Sequence, residues 1–301
     1  MLQVIGGRRV NVVDEGEGPA ILFLHGLGGC WLDWEAQFDA LSGQFRCIAV
    51  DHRGHGWSDR FDGDVSVDDF ASDAVSVCAA LGIERLAVVG LSMGGVIALT
   101  LALDRPDLVE ALVVADCSAR MVLPTQLLLR RAASRIRKRG MEAVAEMYLK
   151  ETGRRLGDGD EKSIRMQREW RRFASNDPAC FAASLGALTR FDAMARLPSL
   201  QVPTLVMRGQ HDELVSADDA AALANAIPGA RFVTIDGAEH VANRDRPEVF
   251  NEELRTFLAS TSVRSGGNDA LEAARVPVAG PSGRVRVRRR PGRVLHTRSV
   301  S

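Results

Sequence analysis

The feature that most constrains this chain is Gly90-Leu91-Ser92-Met93-Gly94-Gly95, set between an apolar run over residues 86–90 and a helical pattern over residues 93–103. A serine with glycine two residues before and two after it fits a sharp strand–turn–helix bend. The residues at 90 and 94 must be small, or their side chains would collide inside such a bend. The bend leaves Ser92 in a strained backbone conformation, its hydroxyl projecting from a sheet edge. The following helix points its first amides at that hydroxyl, which makes a ready anion site. A chain that needs a strand immediately before this turn and a helix immediately after it is built from β–α units.

The rest of the sequence keeps that rhythm. Short apolar runs predict strands over 9–13, 20–24, 47–50, 86–90, 111–115, 204–207 and 231–235. Helical periodicity predicts helices over 67–81, 93–103, 217–227 and 247–258, the first with Asp68 and Asp69 in its opening turn, where they suit the helix dipole. Strands alternating with helices imply a mostly parallel central sheet flanked by helices. The rhythm breaks between 118 and 188, where no strand-like run occurs and helical patterns (127–139 and 141–149) predominate. This segment is expected to be a helical cap inserted between a first core part, 1–117, and a second, 189–262. Its Arg130–Arg139 stretch reads as a solvated face or as a source of arginines for a substrate carboxylate; the sequence does not choose.

Residues 263–301 contain nine Arg against two acids, a net of +7. The whole chain is at −1, so residues 1–262 carry −8. The tail is rich in Gly, Ser, Pro and Arg and has no apolar periodicity, so it is expected to be disordered, with no nucleic-acid partner. No stretch is long and apolar enough for a membrane span, and the N-terminus lacks a signal pattern. Five scattered cysteines (30, 47, 78, 117 and 180) form no CxxC pair. That spacing argues against a disulfide framework and against a metal site, and fits a cytoplasmic protein. No glycine cluster is followed by the lysine of a phosphate-binding loop, and no cofactor is expected.

A serine hydroxyl needs a base to become nucleophilic, and the base needs an orienting acid. Of six histidines, His240 lies just past the strand over 231–235, in Gly237-Ala-Glu-His240. Asp212 follows the strand over 204–207. In a parallel sheet, the loops after strand ends gather on one edge. Ser92, Asp212 and His240 are therefore the candidate catalytic residues. Asp116, which also follows a strand, is the rival acid. Trp31 and Trp34 read equally as pocket or core residues.

Five ordered motifs then point to one family. They are His25-Gly-Leu-Gly-Gly29, Asp51-His-Arg-Gly-His-Gly-Trp-Ser-Asp59, the Ser92 turn, Pro203-Thr-Leu-Val-Met-Arg-Gly-Gln-His-Asp212 and Gly237-Ala-Glu-His240. With these, residues 1–260 resemble the α/β-hydrolase superfamily. The closest resemblance is to small bacterial esterases and lactonases of the aryl-esterase and 3-oxoadipate enol-lactonase type, from which His25-Gly26 is a departure. The resemblance implies Ser92 as nucleophile, His240 as base and then acid, and Asp212 as orienting carboxylate. It implies an oxyanion hole from the amides of Leu27 and Met93, with Gly26, Gly28 and Trp31 lining the substrate site. His25, Asp51, Arg53 and His55 are expected to tie loops together. The expected activity is cleavage of a small-molecule ester or lactone by a monomer or homodimer. Alternatives are C–C bond hydrolysis, perhydrolysis, or a ligand receptor of the same fold. A serine rather than an aspartate at the turn argues against epoxide hydrolysis and dehalogenation.

Overall fold

Parallel strands covered on both faces have no solvent side to mark with polar residues, so they read in sequence as continuous apolar runs. All seven expected strands are present in the computed structural model, which describes residues 1–142, 144 and 170–261. They are β2 (Arg8–Glu15), β3 (Ala20–Leu24), β4 (Arg46–Val50), β5 (Leu86–Leu91), β6 (Val109–Ala115), β7 (Thr204–Gly209) and β8 (Arg231–Ile235). An eighth, β1 (Leu2–Ile5), was not expected. It is a short and largely exposed edge strand, joined to β2 by Gly6 and Gly7, both at positive φ. That two-residue glycine turn is the hairpin signal the sequence did carry.

The sheet order is β1-β2-β4-β3-β5-β6-β7-β8. The β1–β2 and β2–β4 pairs are antiparallel and the other five pairs are parallel. From β3 the chain goes to β4 on one side and to β5 on the other, so the winding direction reverses between β3 and β5. A crevice opens at such a reversal, beyond the carboxyl ends of the strands. The loop after β3 carries residues 25–30, and the turn after β5 carries Ser92.

Side chains alternate across the strands and define two core layers. Leu22 and Leu24, Ile48 and Val50, and Leu112 and Val114 face α2 (Val67–Ala80) and α3 (Met93–Asp104). Ile21 and Phe23, Cys47 and Ala49, and Val113 and Ala115 face α1 (Glu35–Leu41) and the later helix Pro247–Ala259. Helix α3 is buried from Met93 through Ala102, which explains its apolar sequence on every face. Asp69 closes a capping box with Ser66 at the start of α2, so the acidic first turn contributes hydrogen bonds as well as charge.

The insertion enters through α4 (Leu123–Arg139), which starts earlier than expected, and returns through α5 (Pro178–Thr189). At its neck the backbones of Arg120 and Asp192 form an isolated antiparallel β-bridge, and the Ala193 amide donates to the Ala119 carbonyl at 2.9 Å. Helices α4 and α5 share a small apolar cluster of their own, including Ile136, Met141, Phe181 and Leu185. The helix expected over 141–149 and the tail over 263–301 lie mostly or wholly outside the described residues. Three further helices follow β7: α6 (Ala217–Ala226), α7 (Ala242–Asp245) and α8 (Pro247–Ala259). Among the described residues no helix is long and apolar enough to cross a membrane.

Candidate active site

Ser92 sits at φ 53°, ψ −114°, the left-handed region that a non-glycine residue enters only under constraint. Three packing facts impose it. A Cβ at Gly94 would strike the Leu24 carbonyl, one at Gly90 the Gly94 carbonyl, and one at Gly95 would lie 2.8 Å from the Cys117 Cβ. The start of α3 thus meets the ends of β3 and β5 and the residues after β6 too closely for side chains, which holds the turn at Ser92 tight. The Ser92 amide donates to the Ala115 carbonyl at 2.9 Å, and its carbonyl accepts from the Val96 amide at 3.1 Å.

The residues proposed from sequence converge, although 148 positions separate the serine from the histidine. Ser92 Oγ lies 2.9 Å from His240 Nε2, and His240 Nδ1 lies 2.9 Å from both oxygens of Asp212. With Nδ1–H donating to Asp212, Nε2 is the free acceptor and the Ser92 hydroxyl donates to it. Asp212 Oδ1 also accepts the Leu214 and Val215 amides at 2.8 and 3.0 Å. Buried Arg208 shapes this loop by donating to the carbonyls of Gln210, Asp212 and Val215. Burial disfavours the Asp212 carboxylate, but the His240 hydrogen bond and charge and the two amides outweigh it and hold the group below its ordinary value. For His240, burial opposes the charged form; the bond and charge of Asp212, with Asp116 and Asp245 beyond, overcome it and lift the imidazole above its ordinary range.

Asp116, the rival acid, has a different task. Its Oδ1 accepts the Gly209 amide at 2.7 Å and its Oδ2 the Ala242 amide at 3.0 Å. It therefore ties the end of β7 to the helix that follows His240. Burial pushes its carboxyl up to about 7, tempered by His240 and the two amides. Like Ser92 it sits at positive φ, 49°.

The loop after β3 forms a turn in which the Gly29 amide donates to the Gly26 carbonyl at 3.0 Å. A Cβ on Gly26 would lie 3.5 Å from the Ser92 Cβ, so this loop lies directly against the serine. Met93 opens α3, and its amide has no intrahelical acceptor. Gly28 is at φ 75°, and a Cβ there would strike Phe173 and lie 2.9 Å from Phe181, both from the insertion. Trp31 packs edge-on against Phe38, its amide donating to Asp51 at 2.7 Å. Trp34 is a core residue, fully buried between Phe23 and Phe250.

Asp51, Arg53 and His25 tie loops as expected, whereas His55 Nδ1 donates to the Arg53 carbonyl two residues away at 3.0 Å. Asp51 accepts from the Trp31 and Trp57 amides and from Asn11. Arg53 pairs with Asp73. His25 Nδ1 donates to the Gly26 carbonyl at 2.7 Å, and its Nε2 accepts the His52 amide at 3.0 Å. Burial, reinforced by neighbouring histidines, lowers His25 well below its ordinary value and His52 to about 3; burial lowers His55 to about 4.

A second network was not legible in sequence. Buried Asp33 accepts from Arg172 of the insertion, from Arg244 of α7 at 3.2 Å and from the Cys30 amide at 3.3 Å. Its carbonyl accepts from Asn243 at 2.7 Å. Asn176 of the insertion donates to the Gly28 carbonyl at 2.9 Å. The loop after β3, the insertion and the segment after His240 are thereby fastened at one point. Capping-box spacing from Cys30 to Asp33 is the only sequence signal for it, and that signal is local.

A family model described as alpha/beta hydrolase fold matches residues 19–247. This chain belongs to the α/β-hydrolase family. A carbamate hydrolase by name (RutD) from Azorhizobium caulinodans is 32% identical over 248 residues, covering 80% of this chain and 92% of the relative. A 3-oxoadipate enol-lactonase from Acinetobacter baylyi is 28% identical, covering 84% of this chain and 94% of the relative. The crystal structure of an enol-lactonase from Burkholderia xenovorans superposes with a TM-score of 0.79 at 28% identity, covering 86% of this chain and 100% of that one. As a member of this family, the protein is related to hydrolases of enol-lactone, carbamate and ester substrates.

Proposed function

We propose that the protein is a serine hydrolase that cleaves small-molecule carboxylic esters or lactones through an acyl-enzyme. The unbroken chain Ser92 Oγ–His240–Asp212, each link at 2.9 Å, carries this reading. The family relationship, with an enol-lactonase among the relatives, supports it.

In this reading Ser92 attacks the substrate carbonyl carbon while His240 Nε2 takes its proton. The imidazolium that forms is stabilised by Asp212. The carbonyl oxygen becomes an oxyanion held by the Leu27 and Met93 amides, each worth about 3 kcal/mol in the transition state. The intermediate collapses as His240 returns the proton to the leaving alkoxide, which for a lactone stays on the same molecule. Water, deprotonated by His240, then attacks the acyl-enzyme and frees Ser92. The insertion roofs the site and limits water to the deacylation step. Gly26, where a Cβ would lie 3.5 Å from the Ser92 Cβ, borders the acyl group. No step requires a cofactor.

The test is a hydrolysis screen over short and long acyl esters, aryl esters, lactones and ring-cleavage diketones, with Ser92→Ala as the blank. Steady turnover of p-nitrophenyl acetate that falls by about 10⁶ in Ser92→Ala is expected. Turnover of diketones alone would assign C–C bond hydrolysis. One stoichiometric burst without a steady state would assign a ligand receptor.

A further inference from the structure

Part of the Arg-rich face of α4 lines a concavity that the catalytic residues do not share. Where α4 crosses α5, the small residues Ala133, Ala182 and Gly186 leave a cleft of about 290 Å³. Arg130 and Arg137, two helical turns apart on α4, line it together with Arg190 at the end of α5. Asp64, in the loop leading into α2, closes the remaining side. Arg190 is anchored there by donating to the Val65 carbonyl at 2.8 Å. Gly186 keeps the space open, since a Cβ would lie 3.4 Å from Arg190 Nη1. Among the described residues Arg130 and Arg137 have neither ion-pair nor hydrogen-bond partners.

Three arginines and one aspartate thus line the cleft, in a body whose first 262 residues carry a net −8. The chain has acids in excess yet leaves this wall cationic. Like charges gathered around a concavity repel one another unless an anion sits between them. The planar guanidinium fork matches carboxylate and phosphate oxygens two at a time. The volume is at the small end for ligand pockets, about 300 Å³, which suits a compact polyanion better than a dinucleotide.

We propose that this cleft binds a small multivalent oxyanion, phosphate or carboxylate, at a site separate from Ser92. Its walls come from α4, from α5 and from the loop before α2. An occupant would therefore clamp the insertion to the sheet layers and stabilise the folded chain. The proposal does not depend on the reaction assigned to Ser92.

The experiment titrates the full chain with pyrophosphate and, separately, with citrate, against sodium chloride of equal ionic strength. Thermal unfolding and titration calorimetry are read in parallel. One of the two anions is expected to bind with 1:1 stoichiometry and raise the melting temperature by about 5 °C at a hundredfold excess over its Kd. Response to pyrophosphate assigns a phosphate ligand, and response to citrate a polycarboxylate. Binding should persist in Ser92→Ala, weaken tenfold or more in Arg130→Gln/Arg137→Gln, and weaken severalfold in Arg130→Lys/Arg137→Lys, which keeps charge and helix but loses the fork. The proposal is overturned if neither anion exceeds the chloride control, or if binding is undiminished in both double variants.

Discussion

Replacing Asp33 by Asn tests whether one buried carboxylate holds the loop after β3, the insertion and the segment after His240 in register. The substitution keeps the shape and removes the charge. Asp33 is 6% exposed, whereas Arg172 and Arg244 are 24% and 21% exposed at the side chain. Two charge-assisted hydrogen bonds would be weakened, each worth about 1.5–3 kcal/mol. Removing one partner of a fully buried ion pair costs about 3–5 kcal/mol, because the other charge is stranded. Here both arginines reach water, so the lower end applies and a loss of about 3 kcal/mol is expected. For a domain of this size that is a fall of about 6–12 °C in melting temperature. Because the same carboxylate steadies the turn at Gly26–Gly29 and the helix after His240, kcat on p-nitrophenyl acetate should fall about tenfold with KM nearly unchanged. The assays are guanidinium unfolding and steady-state kinetics on Asp33→Asn, Arg172→Gln and the double variant. The cycle should show a coupling of at least about 1.5 kcal/mol between the two residues. Coupling below about 0.5 kcal/mol, or Asp33→Asn within about 1 kcal/mol of the parent, would refute the assignment of this network as a fastening point.

The pH dependence of kcat/KM should show an acidic limb set by His240, which must be neutral to act as a base. Its raised value places that limb above 6.5; Asp116, itself pushed up to about 7, is only partly ionised there, so Asp116→Asn should move the limb only slightly to lower pH. His25, His52 and His55 are neutral when folded and take up protons near 6.5 when unfolded. Their contribution is therefore intact above pH 6.5 and lost as pH falls, by up to about 1.4 kcal/mol per pH unit for each; denaturant titrations between pH 7 and 5 measure the slope. Gly94→Ala would drive a methyl group into the Leu24 carbonyl, and soluble folded protein should not be recovered; a folded, active variant would show that the turn can relax. Asn176→Ala loses the bond to the Gly28 carbonyl and should cost about 1–2 kcal/mol by chemical unfolding, with a further drop in kcat.

Much of this protein was legible in sequence because its signals are local. Gly90 and Gly94 are required by contacts within a single turn, and the apolar runs report burial that each strand experiences on both faces. Even the Ser–acid–His order could be read, since parallel strands send their following loops to the same edge. Position alone did not separate Asp116 from Asp212, because both follow strand ends; only the family resemblance favoured Asp212. Tertiary structure separates them: Asp212 reaches His240 at 2.9 Å, while Asp116 is occupied by the Gly209 and Ala242 amides. The long-range partners of Asp33, Asn176 and the Arg130–Arg137–Arg190 cleft carried no sequence signal, because they lie far along the chain and come within reach only when the insertion folds back. Trp34 likewise read as pocket or core until the packing of Phe23 and Phe250 decided for core. The sequence by itself determined the turn, the layers and the candidate chemistry, all of which follow from backbone sterics and burial periodicity. Only the tertiary structure decided which charges meet, since that depends on the three-dimensional distance between groups that sequence separation does not encode.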